Sequence, residues 1–238
     1  MTKRIVVASG KGGVGKTTVC VGVGRALTAL GHRTLLVDFD DLRSLDLVAG
    51  VAERVVYDWG DVLLGRCEPQ DALNETDGLF VLAGPRSYAD ITKEQVRDLM
   101  RRFDDFDYIL MDAPAGVGTG FCLACGAAPR GIVVATADPV SVRSAAIAAE
   151  KMQTLGVGYV RLLLNRAAKK DMKKKRLMNI DDAIDGVSAQ LLGIIPEDRH
   201  IRLREMGGTL LEKHQISTTP FMNVAKRVTG ENVPLFFL

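Results

Sequence analysis

Residues 10–17 read Gly10-Lys11-Gly12-Gly13-Val14-Gly15-Lys16-Thr17. They fill every fixed position of G-x-x-x-x-G-K-[ST], the pattern of a phosphate-binding loop. The chemistry explains the residue types. Glycines let successive backbone N–H groups curl around phosphate oxygens. A helix opening behind the loop adds unpaired donors and a partial positive charge. Lys16 has the reach for β- and γ-phosphates, and the Thr17 hydroxyl can ligate Mg²⁺.

Such a loop needs carboxylates beside it to hold the metal and its water. Tyr108-Ile109-Leu110-Met111-Asp112 is an apolar run ending in an acid. The turn Asp112-Ala113-Pro114-Ala115-Gly116 after it could sense the γ-phosphate. Leu36-Val37-Asp38-Phe39-Asp40 is a second apolar run ending in acids. Asp38 continues the strand line toward the metal, while Asp40 falls in the loop and could position an attacking water. A turn or helix-capping Asp would look the same in sequence.

The elements that must hold these groups alternate. Strands are expected at Arg4–Ala8, Arg33–Asp38, Leu79–Ala83, Tyr108–Asp112, Gly131–Ala135, Tyr159–Leu164 and Leu191–Ile195. Most are apolar throughout, as strands buried on both faces are. Helices are expected at Thr17–Leu30, closed by Gly31, and at Thr92–Arg102, opened by a Thr92/Gln95 capping box. Two more are expected at Ser141–Leu155 and Pro220–Val228. Strand–helix–strand units of this length imply right-handed crossovers. The expected fold is a single α/β domain over 1–238, with a mostly parallel, doubly wound sheet flanked by helices.

Composition agrees with a globular chain. Of 238 residues, 47% are apolar and 25% charged, which excludes wholesale disorder. Lys+Arg at 31 against Asp+Glu at 29 leaves a net charge of +2, too balanced for a nucleic-acid coat. Aromatics at 5% also disfavour base stacking, so nucleic acid is not the expected partner. Four cysteines, no signal peptide and no apolar run of 18 residues lead us to expect a cytoplasmic protein with free thiols.

Lys11-Gly12-Gly13-Val14-Gly15-Lys16-Thr17-Thr18 resembles the deviant Walker A motif of the MinD/ParA family of ATPases. A lysine ahead of the two glycines marks that group. Asp38-Phe39-Asp40 with Leu42-Arg43-Ser44-Leu45-Asp46-Leu47 resembles the first switch of its MinD branch, and Arg54-Val55-Val56-Tyr57-Asp58 the segment that follows. Asp112–Gly116 with Gly118-Thr119-Gly120 is similar to the second switch. Leu164-Asn165-Arg166 and Ile195-Pro196-Glu197-Asp198 match strand ends of the family's adenine pocket. The resemblance covers roughly residues 3–230.

The resemblance implies a switch in which two subunits sandwich two ATP molecules, with Mg²⁺. Lys11 would cross to the partner's phosphates; Gly10, Gly12, Gly13, Val14, Gly15, Lys16 and Thr17 would form the phosphate and Mg²⁺ cradle. Thr18 would contact the α-phosphate, and Asp40 would orient water. Asp38 and Asp112 would act on Mg²⁺ through water. Asn165 would read adenine, with Arg166, Pro196, Glu197 and Asp198 beside it. It also implies spatial regulation of cell division, with division-inhibitor and ATPase-activator partners of the MinC/MinE type, at the inner face of the cell membrane.

The sequence departs from the family in three places. Asp40-Asp41-Leu42-Arg43 is one residue short and lacks the usual glycine, and Ser44 stands where Asn is usual. Both bear on switch dynamics and turnover rather than on nucleotide binding. The chain ends Pro234-Leu235-Phe236-Phe237-Leu238, which cannot make the amphipathic helix that interfacial binding requires. A membrane-targeting helix is therefore not expected, and the tail is expected to pack on the domain.

Two features stay open. Residues 166–176 hold seven cations in eleven positions, fit for anionic lipid, for DNA as in partition ATPases, or for solvent. Cys122-Leu123-Ala124-Cys125 could supply thiolates to a subunit-bridging metal or cluster, as in a metallocentre-maturation ATPase. Cysteines at i and i+3 of a helix also pack as small hydrophobes, the reading favoured here.

Overall fold

The computed structural model describes residues 1–168, 178–198 and 218–235. Eight strands form one sheet: β1 (Lys3–Ser9), β2 (Thr34–Asp38), β3 (Leu73–Thr76), β4 (Leu79–Leu82), β5 (Tyr108–Ala115), β6 (Arg130–Thr136), β7 (Tyr159–Ala167) and β8 (Gln190–Pro196). Their order is β3-β4-β2-β5-β1-β6-β7-β8, parallel throughout except where β3 meets β4. The described helices are α1 (Lys16–Ala29), α2 (Leu45–Ala49), α3 (Trp59–Leu63), α4 (Lys93–Arg101), α5 (Thr119–Ala127), α6 (Pro139–Thr154), α7 (Ile180–Val187) and α8 (Thr218–Thr229).

The sheet is buried on both faces, and strand periodicity divides its side chains between two cores. On β5, Tyr108 and Leu110 face one core with Val19, Val23 and Leu27 of α1 and Phe221 of α8. Ile109 and Met111 face the other, with Met100 of α4, Phe121 of α5 and Met152 of α6. This period of two on a two-sided sheet is why the strands read as continuous apolar runs.

β1 sits between β5 and β6, where the strand order turns back on itself. Open α/β sheets bind ligands at the carboxyl ends of the strands beside such a switch point. The register places Asp38 opposite Asp112 across β2–β5, with Asp112 also opposite Val7 of β1. Three strand ends that carry site residues therefore finish side by side.

All seven expected strands and four expected helices occur, with boundaries moved by a few residues at most. The expected start of α6 at Ser141 moves back to Pro139, because Asp138 caps it by accepting from the Ser141 amide at 2.9 Å. The expected end of β7 at Leu164 moves on to Ala167, past a register shift where Arg166 takes φ 55°. The unexpected β3 pairs with β4 through a hairpin whose tip, Asp77-Gly78, has positive φ at both residues. The basic run lies outside the described residues from Lys169 onward, as does the tail from Phe236.

Candidate functional site

Behind the loop, α1 opens at Lys16 with Gly15 in the left-handed region at φ 83°. A Cβ on Gly15 would stand 2.4 Å from the Asn165 amide nitrogen, and one on Gly10 only 1.9 Å from the Ser144 carbonyl oxygen. The loop is thus pressed between β7 and α6 at both ends. Its middle is different. A Cβ on Gly13 would meet nothing within 4 Å, and one on Gly12 only the Ala115 methyl at 3.9 Å. That open side is the room a phosphate chain needs against the backbone N–H groups.

Beneath the loop lies a buried network. Lys16 is 7% exposed, and its Nζ donates to Asp112 Oδ1 at 2.7 Å. Thr17 Oγ1 donates to Asp112 Oδ2 at 2.7 Å and lies 3.2 Å from the Ser44 hydroxyl. Burial alone would pull the Lys16 ammonium down, but the Asp112 carboxylate beside it leaves it above its usual range. Asp38 accepts from the Asp40 amide at 2.8 Å and the Leu45 amide at 3.1 Å. Burial, helped by the charge of Asp112, pushes its carboxyl up to about 8. Asp112 is raised too, by burial, against the pull of Lys16. Two carboxylates that share a dry floor favour a further cation. Thr17, Ser44, Asp38 and Asp112 supply only oxygen donors, the set that suits a hard divalent ion such as Mg²⁺.

The rim contrasts with this floor. The Lys11 side chain is exposed and, among the described residues, makes no hydrogen bond or ion pair. Its charge reaches Asp138: burial would raise that carboxyl, but the Thr136 hydroxyl, the Ser141 amide and Lys11 together hold it below its usual range. Asp40 caps its own turn by accepting from the Leu42 amide at 3.1 Å. Arg43 follows at φ 52°, so the turn after Asp40 closes through a left-handed arginine.

Asn165 and Arg166, expected at the adenine, both brace the phosphate loop. Asn165 Nδ2 donates to the Val14 carbonyl and Arg166 Nη1 to the Gly13 carbonyl, each at 2.8 Å. Pro196 ends β8 beside Ala167, and the Glu197 amide donates to the Ala167 carbonyl at 3.2 Å, so Glu197 and Asp198 follow β7's own exit. Thr18 is buried in the first turn of α1.

Three contributors escaped the sequence reading. Ser44 was noted only as a departure, yet its hydroxyl stands at Thr17. Trp59 Nε1 donates to the Asp38 carbonyl at 2.8 Å, and Tyr88 stacks on Trp59 at 5.8 Å. A lone Trp after a charged segment carries no chemical signal that would have found it. Cys125 lies in the apolar core, where burial pushes its thiol up to about 12, the opposite of what a thiolate ligand needs. Cys122 is half-buried. Among the described residues, no cluster of His, Cys, Asp and Glu could hold a metal ion by itself.

The chain is similar to known proteins over nearly its whole length. The septum site-determining protein MinD of Synechocystis is 36% identical over 98% of this chain and 92% of its own length. MinD in the MinC:MinD cell division complex of Aquifex aeolicus superposes with a TM-score of 0.91, at 31% identity over 99% of both chains. MinD of Pyrococcus horikoshii, solved with Mg-ADP, gives 0.85 at 27% identity over 96% of both chains. The CobQ/CobB/MinD/ParA nucleotide binding domain matches residues 5–211, and the chain belongs to that family.

Proposed function

We propose that this chain is an ATP-hydrolysing switch that dimerises with ATP and acts in septum site placement. The observation that carries the reading is the split between a buried Lys16–Asp112–Thr17 floor and an exposed Lys11 on the same loop. The floor can bind Mg-ATP within one chain. Gly12 to Thr17 present backbone N–H groups to the phosphates, and Lys16 moves from Asp112 to the β- and γ-oxygens. Mg²⁺, when bound, neutralises charge on the transferring phosphoryl group. Thr17 would hold the metal directly, and Asp38 and Asp112 would hold it through water. Asp40 accepts a proton from, and aims, the attacking water.

Lys11 supplies the missing cation to a second copy. A charge aimed at the γ-phosphate only in the dimer ties hydrolysis to assembly. Asn165 and Arg166 carry the position of the adenine to the loop, because they hold the Val14 and Gly13 carbonyls. Pro196, Glu197 and Asp198 close the base side. A partner of the MinC type is supported by the likeness to MinD of a MinC:MinD complex, and an ATPase activator of the MinE type completes the proposed cycle. No described helix is long and apolar enough to cross a membrane.

The test is light scattering with Mg²⁺ and a slowly hydrolysed ATP analogue, beside a phosphate-release assay. The expected result is twice the 25.7 kDa chain mass with the analogue, the monomer with ADP, and release that rises faster than linearly with protein. A chain that hydrolyses ATP in proportion to its concentration, with no dimer, would overturn the switch.

A further inference from the structure

At the opposite end of the sheet, where the strands begin, a cleft of about 520 Å³ opens beneath the end of α8. Register explains its floor. Ile5 of β1 lies beside Arg130 of β6, Arg130 beside Tyr159 of β7, and Ile132 beside Arg161. Side chains two apart share a strand face, so Lys3, Arg130 and Arg161 present their charges on one surface with apolar neighbours between them. Arg227 of α8 adds a fourth cation from above. Among the described residues, no carboxylate lines the cleft.

Elsewhere many arginines are neutralised by acids, although Arg25, Arg97 and Arg166 donate only to backbone carbonyls. Arg4 and Arg33, at the same edge, pair with Asp104 and Asp105, and Arg66, Arg101 and Arg102 each pair with an acid. Among the described residues, Lys3, Arg130, Arg161 and Arg227 pair with none. Three of them are nonetheless held in place, and Arg130 is exposed beside them. Lys3 Nζ donates to the Tyr108 hydroxyl at 2.9 Å, and Arg161 donates to the Tyr159 hydroxyl at 2.5 Å with its guanidinium over that ring. Arg227 donates to the Val233 and Leu191 carbonyls at 2.8 and 3.4 Å. The Nε atoms of Arg161 and Arg227 are buried without a partner. Four cations around one cleft, none paired with an acid among the described residues, make it attractive to an anion.

We propose that this cleft is a second anion site, for a phosphate ester held by Lys3, Arg130, Arg161 and Arg227 with its organic part against Tyr159. The volume suits a small ligand or a headgroup. Guanidinium forks suit the tetrahedral oxygens. β1 spans seven residues, so the site lies roughly 20 Å from the phosphate loop and cannot share its ligand. The ester can be soluble or the headgroup of an anionic lipid.

The experiment uses the full chain saturated with Mg-ADP, so that the phosphate loop is occupied. Glycerol 3-phosphate is titrated by calorimetry, and the protein is sedimented with phosphatidylcholine vesicles with and without phosphatidylglycerol. Heat from glycerol 3-phosphate assigns a soluble ester; sedimentation only with phosphatidylglycerol assigns a lipid headgroup. In either case Arg130→Gln with Arg161→Gln is expected to weaken that binding at least ~10-fold, the scale of two lost charge-assisted contacts, with Mg-ADP affinity kept. Arg130→Gln alone, at an exposed side chain, should weaken it a few-fold and stands in if the double variant misfolds. Binding of neither probe, or variants that bind like the parent, would overturn the proposal.

Discussion

The two lysines of the phosphate loop lie five residues apart in opposite surroundings. Lys16 is sealed into the floor, ion-paired with Asp112 and flanked by Thr17. The Lys11 side chain stands exposed on the rim, its charge felt at Asp138. The glycines repeat the contrast. Gly10 and Gly15 are packed against backbone and side chain, whereas Gly12 and Gly13 face open space. In the proposed switch, one short segment thus holds a pre-assembled binding site beside a catalytic one that a second copy would complete.

The largest effect should come from the floor. Lys16→Ala removes the main counter-cation of the phosphates and leaves Asp112 buried without its partner. ATP affinity should fall by at least ~10²-fold, on the scale of breaking a buried pair. Affinity close to the parent's in a fluorescent-nucleotide titration would sink the assignment of the loop. Asp40→Ala, at the rim, should do the reverse. Binding and dimer formation persist while kcat drops at least ~10²-fold, as for a lost general base. Normal turnover would hand the water to another residue.

Smaller effects separate packing from chemistry. Gly10→Ala drives a methyl into the Ser144 carbonyl, and thermal unfolding should show a loss of about 1–3 kcal/mol. Gly12→Ala meets open space and should stay within about 0.5 kcal/mol. Equal losses would erase the difference between packed and open loop. The smallest effect lies on α5, where half-buried Cys122 should react with iodoacetamide before Cys125, whose thiol is buried and raised to about 12. Mass spectrometry of the peptides reads the order. Faster alkylation of Cys125 would reopen a metal-binding role for the pair.

Much of this was legible in sequence because it is local. The loop, the apolar runs of β1, β2, β5 and β6, and the Thr92/Gln95 capping box all declare themselves within a few residues. The box forms as expected, with Gln95 N donating to Thr92 Oγ1 at 3.2 Å. What was missed depends on pairing or on distant contacts. β3 is half-exposed and polar, so only its Asp77-Gly78 tip could have announced it. α2 and α3 are five residues each, too short for a helical period to show. Asn165 was legible as a site residue, but its hold on Val14 comes from chain 151 residues away, and no spacing rule reaches that far. The four-cation cleft is likewise assembled by register from β1, β6, β7 and α8, so its members look like scattered surface charges in sequence.

The claim that Lys11 completes the site of another copy is tested most directly by Lys11→Ala. The measurement is light scattering with Mg²⁺ and a slowly hydrolysed ATP analogue, run beside a nucleotide titration on the same sample. The variant should bind nucleotide like the parent, because the Lys16 floor is intact, and yet remain a monomer with little hydrolysis. Lys11→Arg should not fully restore the dimer, since a planar fork does not replace a compact point charge. A Lys11→Ala chain that still dimerises with the analogue, or one that fails to bind nucleotide at all, would contradict the trans-acting role.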